Sequence, residues 1–412
     1  MSCIMPTLFV NKPSLMQHCE RFVTMNRLES PYAYKNPICE TKGTYMKEIV
    51  VVGAGKIGGA IAVMLAETGD YKVTMTDRDQ AQLDKLDNHP AVRGAVVDIA
   101  DKEALVGLLR GKFAVLSAAP FHLTGKIAEA ALAASVHYLD LTEDVATTKK
   151  VEELSKGANV AFVPQCGLAP GFISIVANDL AKRFDSLDSV RMRVGALPQY
   201  PSNALNYNLT WSTDGLINEY IEPCEAIVEG KFVTVPAMEE REEFSLDGVT
   251  YEAFNTSGGL GTLAKTLEGR VRTMNYRTIR YPGHQAIIKA LLNDLNLKNR
   301  RDVLKDLFEH ALPATMQDVV VVFVTVCGWK DGRYLQETYA NKVYSSVIAG
   351  KKMSAIQVTT AAGITTVLDL LAAGQLPQTG FVRQEEVALA DFLNNRFGRV
   401  YDPEALRLKQ AV

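Results

Sequence analysis

The sequence predicts an α/β fold in which a doubly wound parallel sheet is combined with a second, mixed α+β domain inserted before C-terminal helices. Strand and helix patterns alternate from residue 46 to residue 168, as in a parallel sheet with crossover helices. A glycine-rich turn stands directly between the first strand and the first helix. After Gly167, strand patterns with alternating apolar residues replace the alternation of strands and helices, and helical spacing returns only near residue 353. These three observations favour two interleaved domains.

The elements of the parallel sheet follow in chain order. Strands are predicted at Ile49–Val52, Tyr71–Thr76, Val92–Ile99, Phe113–Ala119, His137–Thr142 and Asn159–Gln165. Helices are predicted at Ile57–Thr68, Lys102–Leu109, Thr124–Ala134 and Thr147–Ser155. Six strands in this order describe a sheet whose ligands bind outside the carboxyl ends of the strands.

The pattern changes after Gly167. A helix opens at Pro170-Gly171 and runs through Arg183. Strands of an antiparallel type are predicted at Ser189–Gly195, Asn206–Trp211, Ala226–Val235, Thr250–Asn255, Arg270–Tyr281, Asp318–Trp329 and Tyr334–Val347. Helices are predicted at Met353–Leu376 and Gln384–Arg396. We therefore expect one domain from residues 46–168 plus 353–412 and an inserted domain from residues 169–352, with the substrate in the cleft between them.

The first 45 residues are expected to be an extension that is not part of the core fold. They contain four prolines and three of the six cysteines, and no sustained period. Met46 stands immediately before the first predicted strand.

The glycine-rich turn has the features of a dinucleotide-binding site of the Rossmann type. Gly53 allows the tight turn, Gly55 lets a pyrophosphate approach the backbone, and Gly58 lets the helix pack on the strand. Lys56 and Ile57 open the helix, whose free N–H groups attract the phosphates. A glycine-rich turn in another kind of βα unit would leave the acidic residue that ends the second strand, Asp77, unexplained.

Asp77 predicts NAD as the cofactor, because a carboxylate there accepts hydrogen bonds from the ribose hydroxyls and repels the additional phosphate of NADP. Arg78 favours the opposite choice, since a guanidinium attracts that phosphate, so NADP remains the alternative. Further cofactor contacts are expected at the ends of two strands. These residues are Asp98, Ile99, Ser117, Ala118, Ala119 and Pro120. The small residues among them fit tight packing of strand on helix equally well.

Composition favours small-molecule chemistry. The chain has 412 residues, of which 47% are hydrophobic and 22% charged, and a formal net charge of −3 with both signs interspersed. Neither a nucleic-acid groove nor a membrane surface is implied as partner. The cysteines show no C-x-x-C spacing, and no His, Asp or Glu cluster has metal-ligand spacing, so we expect free thiols, a cytoplasmic protein and no metal.

Seven segments in combination resemble the saccharopine dehydrogenase superfamily, and within it the lysine 6-dehydrogenases. They are Gly53–Gly58, Ala118–His122, Tyr138–Asp140, Cys166–Gly171, Gly195–Gln199, Asn206-Tyr207 and Arg280–His284. The resemblance implies an NAD(P)-dependent dehydrogenase acting on CH–NH or CH–NH2 groups, which oxidises the side-chain amine of lysine to an imine or semialdehyde. It also implies an amino acid as substrate and a homodimer or higher homo-oligomer, with residues 169–352 binding substrate and pairing the subunits.

Amine oxidation requires a group that takes the proton from the substrate ammonium, since a lysine amine has a pKa near 10.4. The candidates at the strand ends are Asp140, Glu143, Asp144, Cys166 and His122. Asp140 is the first choice, because a carboxylate in a closed cleft attracts the ammonium and accepts its proton. A structural role as a helix cap is the alternative for Asp140, and a buried apolar role for Cys166.

The amino acid end of such a substrate requires a clamp. Tyr207, Trp211, Thr262 and Arg280 are the candidates, and His284 is placed to meet the substrate carboxylate. Three alternatives stay open: saccharopine dehydrogenase chemistry on a secondary amine, reduction of an imine by polyamine-forming relatives, and a non-catalytic NAD-binding dimer that acts as a sensor or structural protein. A substrate with three carboxylates needs more cations than one with a single carboxylate.

Overall fold

The computed structural model describes residues 46–86 and 89–403. The strands are β1 (Lys47–Val52), β2 (Tyr71–Asp77), β3 (Val92–Val96), β4 (Ala114–Ser117), β5 (His137–Asp140), β6 (Ala161–Val163), β7 (Ser186–Pro198), β8 (Cys224–Val228), β9 (Lys231–Val235), β10 (Glu242–Leu246), β11 (Val249–Asn255), β12 (Val271–Arg280), β13 (Asp318–Lys330), β14 (Arg333–Tyr344), β15 (Ser346–Ile348), β16 (Lys351–Met353) and β17 (Gly380–Phe381). The predicted extension, residues 1–45, lies outside the described residues.

The helices complete the chain. They are α1 (Lys56–Ala66), α2 (Gln80–Leu83), α3 (Lys102–Leu109), α4 (Phe121–Ala134), α5 (Val145–Leu154), α6 (Phe172–Ala181), α7 (Thr213–Ile221), α8 (Leu263–Leu267), α9 (His284–Lys289), α10 (Arg301–Ala311), α11 (Ala355–Ala372) and α12 (Leu389–Asn394). A π-helical turn spans Ala290–Asp294, and 3₁₀ turns span Leu297–Asn299, Gln384–Glu386 and Gly398–Tyr401.

The first sheet is parallel and has seven strands in the order β17-β6-β5-β4-β1-β2-β3. The chain leaves β1 toward β2 and later returns to its other side with β4, so the topological switch point lies between β1 and β4. Ligands of doubly wound sheets bind at this point, outside the carboxyl ends of the strands. The predicted fold class is thereby confirmed, with β17 as a strand the sequence pattern did not indicate.

One strand of this sheet differs from its prediction. Val92–Ile99 was expected to be a buried strand, whereas β3 ends at Val96 and its side chains are partly exposed. Because β3 is the edge strand, neighbours cover it on one side only. Asp98 and Ile99 therefore lie in the loop that follows.

The second sheet is mixed. Its strands follow the order β10-β11-β12-β7-β13-β14, and the hairpin of β8 and β9 joins at β12. The expectation of an antiparallel sheet is corrected at its centre, where β7 and β12 pair in parallel. The predicted strand Ala226–Val235 is a hairpin, since Glu229 and Gly230 both have positive φ, at 48° and 77°, as its two-residue turn requires.

The predicted strand at Asn206–Trp211 is wrong. Asn206 has a left-handed φ of 50°, and Asn203 Nδ2 donates to the Tyr207 carbonyl across 2.6 Å. Local hydrogen bonds of this kind compete with strand pairing, and Leu209 forms just one isolated bridge, to Ala314. This irregular segment leads into α7, whose N-cap is Ser212.

Helix α11 returns the chain to the first sheet. It packs against α1, and both oxygens of the buried Asp318 carboxylate accept backbone N–H groups of its first turn, from Ala355 at 2.6 Å and Ile356 at 3.0 Å. By length and composition this helix could cross a membrane, but 78% of it is buried within the protein, as in a core helix. The helix predicted at Gln384–Arg396 is shorter, because only Leu389–Asn394 is α-helical.

Candidate active site

A cavity of about 190 Å³ lies between the carboxyl edge of the first sheet and the second sheet. The first sheet contributes residues that follow β4, β5 and β6, and the second contributes side chains of β7 and β12. The lining of the cavity includes Ile57, Ala118, Ala119, Pro120, Leu141, Glu143, Gly167, Trp211, Asp214, Glu219, Tyr276, Thr278 and Arg280. Most of this wall is apolar, and its few charged groups therefore carry the chemistry.

The glycine-rich turn leaves room for a pyrophosphate. Gly53 has a φ of +104°, and a Cβ there would lie 2.7 Å from the Ala118 carbonyl oxygen. A Cβ on Gly58 would lie 1.9 Å from the Gly53 oxygen, whereas a Cβ on Gly55 would meet nothing within 4 Å. No side chain caps α1, so its first N–H groups are available to an anion. The residues present therefore fit a dinucleotide.

Asp77 lies at the end of β2 and touches the turn. Its Oδ2 accepts the Ala54 N–H across 2.9 Å, and its Oδ1 accepts the Asp79 N–H across 3.1 Å. Each carboxylate oxygen has further lone pairs for ribose hydroxyls. Arg78 is exposed, and within the described ranges no hydrogen bond or ion pair engages its guanidinium.

The other predicted cofactor residues separate into two groups. Ile57, Ala118, Ala119 and Pro120 line the cavity. The remaining residues do not: Lys56 is exposed at the first position of α1, Asp98 is exposed and its Oδ1 accepts the Ala100 N–H, Ile99 packs against the core around α3, and Ser117 is buried beside Thr124.

The structure does not bring Asp140 to the cavity. Its carboxylate is fully buried and accepts hydrogen bonds from Tyr138 Oη at 2.7 Å, Thr142 N at 3.0 Å and Gln165 N at 2.8 Å. Burial raises its pKa to about 6, and these three donors oppose the rise. Asp140 therefore ties the ends of β5 and β6 together. The alternative role predicted for Asp140 was a helix cap. Asp144 has this role instead, since its Oδ2 accepts the Thr147 N–H.

Cys166 and His122 are also placed away from the cavity. The Cys166 thiol is fully buried, donates to the Val163 carbonyl at 3.0 Å and accepts from Gln384 Nε2 at 3.2 Å. Burial raises its pKa well above the ordinary value, so it stays a thiol. His122 is exposed on α4. The prediction of a base at Asp140, Cys166 or His122 thus has no geometric support.

Glu143, the other strand-end carboxyl, does line the cavity. A Cβ on Gly215 would lie 3.0 Å from its Oε1, and a Cβ on Gly258 would lie 2.4 Å from its carbonyl oxygen. Two glycines therefore make room for it between α7 and the segment after β11. Burial raises its pKa to about 7, and the negative charges of Asp144 and Asp140 add to the rise.

A second carboxyl in the cavity, Glu219, was not predicted. It lies on α7 and is 7% exposed. Burial raises its pKa to about 8; the nearby Arg280 opposes the rise, and Glu143 adds to it. The signal in the sequence is an acidic residue beside the apolar stripe of α7, next to the buried Leu216 and Tyr220.

Arg280 is the cation of this site. Its guanidinium is buried, lies 4.8 Å from the centre of the Tyr207 ring and donates from Nε to Tyr220 Oη at 2.9 Å. Nη1 donates to the Ile279 carbonyl at 2.8 Å. In the part of the chain that the structure describes, no carboxylate lies within 4.0 Å of it. A buried guanidinium without such a partner is costly, which favours an anionic ligand.

The remaining predicted substrate residues have different positions. Trp211 lines the cavity. Tyr207 and His284 lie behind Arg280, where His284 Nε2 is 3.0 Å from Tyr220 Oη. Thr262 lies elsewhere, with its Oγ1 donating to Glu385 at 2.8 Å. His284 is therefore not among the residues that line the cavity.

Two family models match the chain. The saccharopine dehydrogenase NADP binding domain matches residues 49–162, and the saccharopine dehydrogenase C-terminal domain matches residues 167–400. Among solved structures, the apo saccharopine dehydrogenase (L-Glu forming) of Saccharomyces cerevisiae is similar, with a TM-score of 0.69, 17% identity, and coverage of 89% of this chain and 97% of that chain.

The curated relatives match a smaller part of the chain. The mitochondrial alpha-aminoadipic semialdehyde synthase of Mus musculus is 24% identical over 196 residues, which is 46% of this chain and 21% of that protein. The enzyme of the same name from Bos taurus is 22% identical over 313 residues, or 72% of this chain and 33% of that protein. The chain spans a third or less of these relatives' length.

The fold agrees with these matches. Most of the parallel sheet lies in the range of the NADP binding domain model, and the mixed sheet lies in the range of the C-terminal domain model. The cofactor that fits the glycine-rich turn is NAD(P). With the C-terminal model alone covering more than half of the 412 residues, the chain belongs to the saccharopine dehydrogenase family.

Proposed function

We propose that the chain is a dehydrogenase that oxidises the side-chain amine of lysine with NAD. The observation that carries this proposal is the set of charges in the cavity that have no ion-pair partner among the described residues, namely the carboxyls of Glu143 and Glu219 and the guanidinium of Arg280. A third carboxyl of the lining, Asp214, is already paired with Lys305 at 2.7 Å. Lysine carries two ammonium groups and one carboxylate. Its charges therefore complement these three unpaired groups of the cavity.

The number of cations in the cavity supports lysine over saccharopine as the proposed substrate. Among the lining residues that the structure describes, Arg280 is the sole cation. The neighbouring arginines of the second sheet have other partners: Arg193 binds Glu242, Arg272 binds Asp188 and Glu229, and Arg277 binds Glu240 and Glu242. A substrate with three carboxylates would leave two of them without a cation, at a high cost in a buried site.

Glu143 is the proposed proton acceptor. Amine oxidation requires a free nitrogen lone pair, and a carboxyl with a pKa of about 7 can take the ammonium proton near neutral pH. As the C–H bond beside this nitrogen breaks and the C=N bond forms, the proton remains on Glu143. When bound, the nicotinamide accepts the hydride. The resulting imine hydrolyses to the semialdehyde or cyclises.

The apolar residues of the cavity orient the reacting groups. Ala118, Ala119, Pro120 and Leu141 lie on the same side as the glycine-rich turn, where they can hold the nicotinamide and exclude water. Arg280 lies on the opposite side and takes the substrate carboxylate. NAD is proposed over NADP because the Asp77 carboxylate would repel the additional phosphate.

Saccharopine is the second candidate substrate, favoured by the names of both family models. The two are separated by following the absorbance of reduced nicotinamide with NAD or NADP, while lysine, saccharopine, ornithine and a polyamine adduct are offered in turn. We expect turnover with lysine and NAD. Turnover with saccharopine alone would contradict lysine as the substrate. No change in absorbance with any amine, despite tight cofactor binding, would favour the non-catalytic NAD-binding dimer.

A further inference from the structure

We propose that Glu219 forms a subsite for the α-ammonium group of the substrate, beside Arg280, so that the enzyme recognises an intact amino acid head group and not merely a terminal amine. This inference rests on the proposed function, because it assigns the second carboxyl of the same cavity. It goes further by naming what the enzyme must reject: amines that lack a carboxylate, and amino acids without an α-amine.

The Glu219 carboxylate is buried without a partner among the described residues. Its side chain lines the cavity and is 7% exposed. Between residues 46 and 403, leaving out 87 and 88, no hydrogen bond or ion pair reaches its carboxylate. A buried carboxyl in this state is either protonated or matched by a cation from outside the chain. An ammonium ligand satisfies it directly.

Glu219 lies near Arg280 without forming an ion pair with it. The two groups interact electrostatically but are not within 4.0 Å of each other, so neither neutralises the other by contact. The next residue along α7, Tyr220, holds the guanidinium by its hydroxyl at 2.9 Å. A ligand with adjacent positive and negative groups can therefore contact both side chains at once. The α-carbon of an amino acid carries such a pair.

The two carboxyls of the cavity come from different elements. Glu143 follows β5 of the first sheet and reaches toward Gly215 of α7, whereas Glu219 and Arg280 come from α7 and β12. Backbone contacts fix the Glu219 position, since the Ser257 N–H donates to its carbonyl at 3.0 Å. One carboxyl is thus available for the amine that reacts and the other for the amine that is held.

The protonation of the Glu219 carboxyl in the ligand-free site is consistent with the proposal. Burial raises the pKa of Glu219 to about 8, so the carboxyl is largely protonated at neutral pH when no cation is present. An ammonium ligand favours the ionised form. Removing the charge by Glu219→Gln should therefore weaken binding of an α-amino acid and leave a simple carboxylate almost unaffected.

The experiment uses the full chain saturated with NAD and two ligands that cannot react, L-norleucine and hexanoate. Both have a carboxylate and the same carbon chain, but only norleucine has an α-ammonium group. By calorimetric titration, norleucine should bind at least roughly tenfold more tightly than hexanoate, as expected for a charged hydrogen bond. Glu219→Gln should reduce this ratio toward one, and the control Glu225→Gln, on β8 outside the cavity lining, should leave it unchanged.

Equal binding of the two ligands to the wild-type protein would overturn the proposal, even if the Glu219→Gln variant failed to fold. An unchanged ratio in a folded Glu219→Gln variant would overturn it as well. Because neither ligand is oxidised, these results are independent of turnover. If the wild-type protein oxidises lysine but Glu219→Gln leaves the ratio of norleucine to hexanoate affinity unchanged, the proposed function stands and the subsite is rejected. If Glu219→Gln brings this ratio to one but the wild-type protein oxidises no amine, the subsite stands and the proposed function is rejected.

Discussion

Arg280, which lines the cavity, donates a hydrogen bond from Nε to Tyr220 Oη across 2.9 Å. The Tyr220 hydroxyl lies 3.0 Å from His284 Nε2, and His284 Nδ1 lies 2.8 Å from the Leu205 carbonyl oxygen. A carbonyl can only accept, so Nδ1 carries the proton and Nε2 accepts from Tyr220. Burial and the nearby Arg280 lower the pKa of His284 to about 3, so it stays neutral and this arrangement persists.

Tyr220→Phe should weaken recognition of the substrate carboxylate. The guanidinium would lose its Nε acceptor, and a hydrogen bond to a charged group contributes about 1.5–3 kcal/mol. We expect KM for lysine to rise roughly tenfold or more, with a smaller change in kcat, because Tyr220 acts through Arg280. Any residual turnover of 1,5-diaminopentane, which has no carboxylate, should keep its KM.

Tyr281→Phe is the matched control, since the Tyr281 hydroxyl donates to the Pro198 carbonyl outside the cavity lining. Equal losses in both variants, or a loss in kcat alone for Tyr220→Phe, would argue against a positioning role.

Glu143→Gln should remove the proton acceptor. Burial raises the pKa of Glu143 to about 7, so the wild-type group is protonated below that pH and cannot accept a proton. We therefore expect kcat/KM to rise with pH up to about 7 through this group. In Glu143→Gln, kcat should fall by roughly 10²- to 10⁴-fold, and this limb of the pH profile should vanish. NAD binding, measured by titration, should be unaffected.

The control for this change is Glu225→Gln, which removes a half-buried carboxyl outside the cavity lining. A Glu143→Gln variant that keeps wild-type kcat across neutral pH would exclude Glu143 as the base.

Asp140→Asn should retain activity, in contrast to the expectation from sequence. The Asn oxygen can still accept the N–H groups of Thr142 and Gln165, and the Tyr138 hydroxyl can accept from the new amide. Asp140→Ala instead leaves two buried N–H groups unpaired, which should cost about 2–6 kcal/mol of the free energy of unfolding. Thermal unfolding and kcat, measured for both variants, separate the roles. Loss of turnover in a fully folded Asp140→Asn variant would restore Asp140 as the base.

Sequence reasoning was most successful where function depends on local chain order. The turn from Gly53 to Gly58 and the acid at Asp77 belong to one βαβ unit, whose backbone demands are visible in the residues themselves. The first sheet follows from similar local periodicity. Its edge strand was misjudged because exposure of β3 depends on its place in the sheet, which periodicity does not reveal.

The catalytic and substrate groups were harder to predict because they come together through tertiary contacts. Asp140 and Glu143 are three residues apart, and only the fold turns the first inward to the β6 loop and the second toward the cavity. Glu219 lies on a helix that follows an irregular segment, and this helix was not predicted from the periodicity of the sequence. Arg280 was identified because the amino acid end of the substrate requires a cation, but its partner Tyr220 lies 60 residues away.

Asp77→Ala should relax the preference for NAD. Removing the carboxylate deletes acceptors for the ribose hydroxyls and the repulsion toward a 2′-phosphate, while the exposed Arg78 remains to attract it. We expect the Kd for NAD to rise roughly tenfold and the Kd for NADP to fall, as measured by fluorescence titration. The variant also loses the bond from Ala54 N, which affects both cofactors alike, so the ratio of the two constants is the informative quantity. Asp98→Ala, at an exposed loop acid, should leave that ratio unchanged. A wild-type protein that already binds NADP more tightly than NAD would contradict the role given to Asp77, because its carboxylate would then have to face a phosphate at close range without excluding it.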